Sequence, residues 1–239
     1  MEVAERISTW IRERVEEAGA KGVVLGISGG IDSAVTAVLA KRALGDRVLG
    51  LIMPCHSDPT DGEHARLLAA KFDIETEYVD LTPVFDCLVE ALPPGDRLAR
   101  GNLKPRLRMT TLYYFANSRN YLVAGTGNKS EITVGYFTKH GDNGVDILPL
   151  GDLLKTQVRE LARELGIPEE IITKPPSAGL WEGQTDEGEM GISYEELDKI
   201  LAAIESSDTS SCGQDALARV RAMVAASQHK RDPIPICKL

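Results

Sequence analysis

Short apolar or alternating runs recur along the chain with a helical stretch between each and the next, and this alternation admits few folds. Val3, Ile7, Ile11 and Val15 fall at helical spacing among Glu and Arg, until glycines from Gly19 stop this first surface helix. VVLGI (23–27) then reads as a strand buried in a parallel sheet, and AVTAVLAKRAL (34–44) as the helix after it. VLGLIMP (48–54), GEHARLLAAKF (62–72) and IETEYV (74–79) repeat the pattern, and YLVAGT (121–126) supplies another buried strand. The expected fold class is α/β, a doubly wound, mostly parallel sheet flanked by helices. With 239 residues, we expect one domain spanning 1–239.

The remaining chain is less regular. Pro93, Pro94 and Gly95 break the next helix, and LARGNLKPRLRMTTLYYFANSRN reads as a loop entering a long helix with aromatic residues in its second half. A polar, Gly-rich connection from Gly135 to Gly151 leads to KTQVRELARELG, a helix closed by Gly166 with Pro168 beyond it. Between Pro175 and Gly191 the chain is rich in Gly, Pro and acids and lacks periodicity, so it reads as a lid or connector. Two further helices, ISYEELDKILAAI and CGQDALARVRAMVAAS, precede a polar tail.

Charge and cysteine usage exclude several roles. The 27 Lys and Arg against 36 Asp and Glu leave a net charge of −9, which disfavours nucleic acid and anionic membranes as partners. No apolar run approaches a membrane span and the N-terminus lacks the apolar core of a signal peptide, so a cytoplasmic location is expected. Cys55, Cys87, Cys212 and Cys237 form no CxxC pair, and four reduced thiols are expected.

The sharpest local signal is GISGGIDS, the residues Gly26, Ile27, Ser28, Gly29, Gly30, Ile31, Asp32 and Ser33, set between an expected strand and an expected helix. The glycines let backbone approach a ligand closely, and the hydroxyls with the free N–H groups of a helix start offer donors to an anion. Without GK[ST] or GxGxxG it is neither a Walker A loop nor a dinucleotide fingerprint. A Gly-Ser turn capped by Asp32 is the plain alternative. The loop resembles the SGGxDS loop of the N-type ATP pyrophosphatases. That resemblance implies ATP as co-substrate, held by its pyrophosphate end, with Mg²⁺ bound by Asp32.

Four further segments, read together, resemble the NAD synthetase family over almost the whole chain. RGNLKPRLRM (100–109) matches its GNxKxRxRM pattern, and by analogy Arg106 contacts the dinucleotide. On charge alone, Arg97, Arg100, Lys104, Arg106 and Arg108 suit a pyrophosphate partner, with a solvated helix face as the alternative. GTGNKSE (125–131) implies an ATP contact at Thr126 and a second magnesium carboxylate at Glu131. GYFTKHGDNGVDILPL (135–150) implies substrate contacts at Lys139 and Asp146. Its Asp142 is a candidate proton acceptor for the incoming ammonia and equally a turn former. Lys155 and Ser177 fall where the family contacts ATP phosphates, although Gly179 stands where relatives carry an acid. QHKR (228–231) implies substrate contacts at His229 and Lys230.

The resemblance implies the reaction of deamido-NAD, ATP and ammonia to give NAD, AMP and pyrophosphate through an acyl adenylate. Ammonia is the expected nitrogen donor because nothing in these residues reads as a glutamine amidase domain. A homodimer is implied, with Tyr113, Tyr114 and Phe115 either at its contact or in the core. Two other readings stand. One is a different ATP pyrophosphatase-type ligase, such as a GMP synthetase ATPase subunit or a tRNA-modifying enzyme. The other is a non-catalytic adenine-nucleotide-binding protein.

Overall fold

A computed structural model of the protein describes residues 2–238. The first helix, α1 (Glu2–Glu17), buries Ala4, Ile11 and Val15 along one stripe and keeps most of its charges outside. Strands β1 (Gly22–Gly26), β2 (Val48–Ile52), β3 (Glu75–Tyr78) and β4 (Tyr121–Val123) form one sheet in the order β3-β2-β1-β4. Every pair is parallel. The intervening helices are α2 (Ile31–Leu44), α3 (Pro59–Phe72), α4 (Thr82–Ala91), α5 (Arg97–Gly101) and α6 (Leu103–Arg119).

Strand alternation sorts the core into two layers. Val23 and Leu25 of β1 pack with α1, α2 and α3, whereas Val24 packs with Phe85 of α4 and with Leu112 and Ala116 of α6. Helices therefore cover both faces of the sheet, the doubly wound arrangement expected from the alternation. Strand β3 lies at the edge with all four residues exposed, and its Glu75 and Glu77 keep that edge charged.

The second half contributes α7 (Lys129–Val134), α8 (Lys155–Glu164), α9 (Glu169–Ile172), α10 (Asp186–Met190), α11 (Tyr194–Glu205), α12 (Gln214–Ala226) and α13 (Gln228–Arg231). A third apolar cluster, built on Val134, Met190, Tyr194, Leu197, Leu217 and Val220, ties α10, α11 and α12 to α7. Among the described residues no helix is long and apolar enough to cross a membrane. All four cysteines are free.

Three differences from the sequence expectations have local causes. Helix α2 begins at Ile31, so Ile31, Asp32 and Ser33 belong to its first turn rather than to the loop before it. The segment between Pro175 and Gly191 is not structureless: Thr185 caps the short α10, and Met190 anchors it in the third cluster. Strand β4 is shorter than the expected run 121–126: past Val123 the Ala124 N–H still bonds the Val24 carbonyl, and on the other edge the Gly125 N–H bonds the Ile147 carbonyl, with Ala124 bridged to Ile147.

Candidate active site

Strand β1 is followed through α2 by β2 on one side, while β4 lies on its other side, so the winding direction reverses between β1 and β4. In open α/β sheets, ligands bind beyond the carboxyl ends of the strands at such a switch point. Loop 27–30 leaves β1 there. Gly29 adopts φ +79°, and a methyl group on it would overlap the Asp61 carbonyl at the start of α3. Gly30 occupies the N-cap of α2, and no side chain caps that helix. The hydroxyls of Ser28 and Ser33 lie 3.0 Å apart, and Ser33 Oγ also accepts the Ser28 N–H at 3.1 Å and donates to the Gly30 carbonyl at 2.9 Å. The bend is thus braced from within, leaving the first-turn amides of α2 and its positive dipole end for an anion.

Asp32, in that first turn, faces residues from the chain after β4. Its Oδ1 accepts from Asn128 Nδ2 at 2.9 Å and its Oδ2 from Lys155 Nζ at 2.5 Å. Lys155 also reaches Glu131 Oε1 at 3.1 Å. The lysine is 2% exposed and both carboxylates are 16% exposed. Asn128 and Glu131 form a reciprocal capping box that starts α7. Burial works to lower the Lys155 ammonium, but Asp32 and Glu131 outweigh it and hold the pKa above the ordinary lysine value. Burial raises the Glu131 carboxyl, with Lys155 pulling the other way and Asp32 and Asp186 adding to the rise.

Sequence reasoning missed several members of this cluster. Tyr194, fully buried, donates from its hydroxyl to Asp186 Oδ2 at 3.0 Å and contacts Glu131 Oε1 at 3.2 Å. Lys155 sits over its ring, 4.8 Å from the centroid. Asp186 is also buried, and its Oδ1 has no hydrogen-bond partner among the described residues. Asp198 on α11 accepts from Ser130 Oγ at 2.5 Å and from the Thr156 N–H at 2.8 Å, while the Lys155 N–H donates to Ser130 Oγ at 2.9 Å. One carboxylate therefore ties α7 to the N-terminus of α8 and fixes where Glu131 and Lys155 meet. Asn128 lies in the GTGNKSE run, but the sequence reading gave it no role. Nothing local marks Tyr194, Asp186 or Asp198.

The remaining candidates form a separate group. Arg106 donates to the Lys139 carbonyl at 3.2 Å, Lys139 Nζ to the His229 carbonyl at 2.6 Å, and Lys230 Nζ to the Gly135 and Phe137 carbonyls at 2.8 and 2.9 Å. Asp146 accepts the Tyr113 hydroxyl at 2.9 Å and the Val123 N–H at 2.7 Å, which holds it at the end of β4. Asp142, exposed on its loop, closes that loop by accepting the Thr138 N–H at 2.8 Å. Thr126 lies between the crevice glycines Gly125 and Gly127. Ser177 is exposed, and its Oγ accepts the Gly179 N–H at 3.1 Å.

Among the described residues, no three or more His, Cys, Asp or Glu side chains are grouped to hold a metal. The donor set at the crevice is two hard carboxylates, Asp32 and Glu131, which fits Mg²⁺, an ion that keeps several waters and takes further ligands from phosphates.

Comparison with known proteins places the chain among enzymes that share this architecture. The NAD synthase family model matches residues 3–234. An NH(3)-dependent NAD(+) synthetase of Carboxydothermus hydrogenoformans is 51% identical over 235 residues, covering 96% of this chain and 94% of the relative. The solved structure of an NMN synthetase from Francisella tularensis superposes with a TM-score of 0.92 at 37% identity, over 100% of this chain and 98% of that one. An NH3-dependent NAD synthetase from Campylobacter jejuni gives 0.88 at 30% identity, over 99% and 98%. With a matched model over nearly the full length and the phosphate loop, acid pair and lysine in one crevice, the chain belongs to the NAD synthase family.

Proposed function

We propose that this chain, acting as one domain over 1–239, converts deamido-NAD, ATP and ammonia into NAD, AMP and pyrophosphate. The observation that carries the reading is Lys155, which gathers Asp32 and Glu131 beside the uncapped N-terminus of α2 at the switch point of the sheet. ATP lies with its pyrophosphate end on residues 26–33, with Thr126, Lys155 and Ser177 as further contacts. Arg106, Lys139, Asp146, His229 and Lys230 hold the dinucleotide, and the backbone carbonyls that now occupy Arg106, Lys139 and Lys230 give way to it.

In the first step the nicotinate carboxylate attacks the α-phosphorus and pyrophosphate leaves. Loop amides and Lys155 stabilise the charge that builds on the leaving group. Mg²⁺, held by Asp32 and Glu131, supplies further neutralisation of phosphate charge when bound. In the second step ammonia attacks the acyl carbonyl, its nitrogen sheds a proton, and AMP leaves. Asp142 is the assigned proton acceptor. No protein nucleophile takes part, and rate enhancement comes from alignment and charge stabilisation. The chain acts in the cytoplasm as a homodimer. Tyr114, which is 69% exposed while Tyr113 and Phe115 pack on the core, lies in its contact.

The test is ammonia-dependent AMP formation with deamido-NAD as acceptor; AMP release that ignores either ammonia or deamido-NAD rules the reaction out. A second reading, amidation of the nicotinate mononucleotide, is favoured by the 37% identity to the Francisella tularensis enzyme named NMN synthetase. Parallel kcat/KM values for the two acceptors decide between them.

A further inference from the structure

The five basic residues around RGNLKPRLRM do not form one surface. Arg106 turns to the Lys139 carbonyl, and Arg108 turns inward to the Met53 carbonyl at 3.2 Å and to Ser57 Oγ at 3.3 Å. The other three converge. Arg97, Arg100 and Lys104 line a cavity of about 310 Å³ with His56, Phe85 and Leu180, and none of the lining residues is acidic. His56 is committed to Asp86 at 2.7 Å.

Lys104 is the decisive member. It is only 5% exposed, yet among the described residues it has neither an ion pair nor a hydrogen bond. Its ammonium lies 5.6 Å from the Phe85 ring centroid, with the Cys55 thiol and the Arg108 guanidinium also near enough to act on it. Burial lowers its pKa from the ordinary lysine value. The side chain is thus buried along its stem while its ammonium, with no counterion, opens into a cavity whose arginines are also without carboxylate partners among the described residues. We infer that this cavity is a second anion site that takes a phosphoryl group, with Lys104 as the buried anchor and Arg97 and Arg100 as its rim. The two arginine forks suit phosphate oxygens, and the lysine supplies a point charge beneath them.

The site also touches the segment between Pro175 and Gly191. Leu180 lines the cavity, Arg97 stacks 4.5 Å from the Trp181 ring centroid, and the Trp181 and Leu180 side chains press on Gly101 at the end of α5. An anion that draws Arg97 inward changes the environment of that indole, so occupancy is readable. The chain has two tryptophans, and Trp10→Phe leaves Trp181 as the only reporter.

The experiment titrates the full-length Trp10→Phe protein with inorganic phosphate, and separately with pyrophosphate, at matched ionic strength. The expected result is a saturable change in Trp181 fluorescence whose affinity falls about tenfold on Lys104→Met and on Arg100→Gln, the loss of one charge-assisted contact. Arg100 is exposed, so its variant tests the site even where Lys104→Met folds poorly. Ser28→Ala in the phosphate loop is expected to leave this titration unchanged. A signal that does not saturate, or one that Arg100→Gln leaves intact and Ser28→Ala removes, overturns the assignment. Adding deamido-NAD identifies the source of the phosphoryl group: displacement assigns the site to the dinucleotide's diphosphate, and simultaneous binding assigns it to a free anion. Only this last arm rests on the amidation reading, so its failure is separable from that of the site itself.

Discussion

Lys155 Nζ lies 2.5 Å from Asp32 Oδ2, joining the start of α8 to the first turn of α2 across 123 positions of sequence. With Glu131 on the same ammonium, one cation balances two nearly buried acids. Lys155→Met removes that balance and leaves both carboxylates facing each other. The expected cost is about 3–5 kcal/mol, as for removing one partner of a buried ion pair. Asp32→Ala or Glu131→Ala costs less, because Lys155 keeps the other acid. Urea unfolding of the three variants checks the order, and a Lys155→Met midpoint at or above those of the two acid variants refutes it.

Gly29 and Gly30 look equivalent in the sequence and are not. Gly29 has φ +79° and no room for a methyl group beside the Asp61 carbonyl, whereas Gly30 has φ −94° and only Ser28 Oγ, at 3.4 Å, near its added carbon. Gly29→Ala is expected to cost about 1–3 kcal/mol through left-handed strain, with more from displacing α3, and Gly30→Ala to stay within about 1 kcal/mol. Paired denaturation curves measure the difference, and equal losses at the two positions contradict the geometry.

How much of this was legible follows from the range over which each signal acts. The sheet and its two helical layers were readable because β1 and β2 bury both faces and so carry continuous apolar runs. Asp32 and Glu131 were readable because each sits in a local motif just beyond a strand end, whereas Lys155 came only from the resemblance to the family. Tyr194, Asp186 and Asp198 were not readable. They reach the site from elements around α11 through contacts 8 to 68 positions apart, and no spacing encodes those. The basic run around RGNLKPRLRM is legible only as a cluster: helical rotation sends Lys104, Arg106 and Arg108 to three surroundings, and a charge count has no access to that.

Asp198 acts through position rather than contact with substrate. Its carboxylate holds Ser130 of α7 and the Thr156 N–H of α8 together. Asp198→Ala strips the N-terminus of α8 of its acceptor and is expected to cost about 1–2 kcal/mol. Because Lys155 and Glu131 then lose their common mount, kcat falls further than stability alone explains. Asp198→Asn, which keeps an acceptor oxygen, restores most of both, and identical behaviour of the Ala and Asn variants argues against the positioning role.

Acid stability has a contributor at the start of α3. Asp58 caps that helix through the Thr60 N–H at 2.9 Å, and this hydrogen bond holds its carboxyl below the ordinary aspartate value. A depressed folded-state pKa means that the contribution is present above the unfolded-state value and is lost as pH falls through the folded-state one. Asp58→Ala is therefore destabilising at pH 7, and the gap from wild type narrows as pH drops below about 4. Thermal melts of both proteins across that range provide the check, and a gap independent of pH removes the capping charge from the account.

Tyr113 gives the last test, of how the dinucleotide is received. Its hydroxyl donates to Asp146 Oδ1 at 2.9 Å while the Val123 N–H takes Oδ2, so the carboxylate is held from both sides at the end of β4. Burial, then the hydrogen bond to Asp146, pushes the phenol up to about 12, so it stays protonated and keeps donating at any working pH. Tyr113→Phe frees one oxygen of Asp146 without touching the phosphate loop. The stability cost is about 1 kcal/mol, the net worth of one such bond. If Asp146 receives deamido-NAD, KM for that substrate rises several-fold while KM for ATP and kcat hold near wild type, because a loosened ground-state contact is lost equally from the transition state. A fall in kcat with both KM values unchanged places Asp146 outside substrate binding.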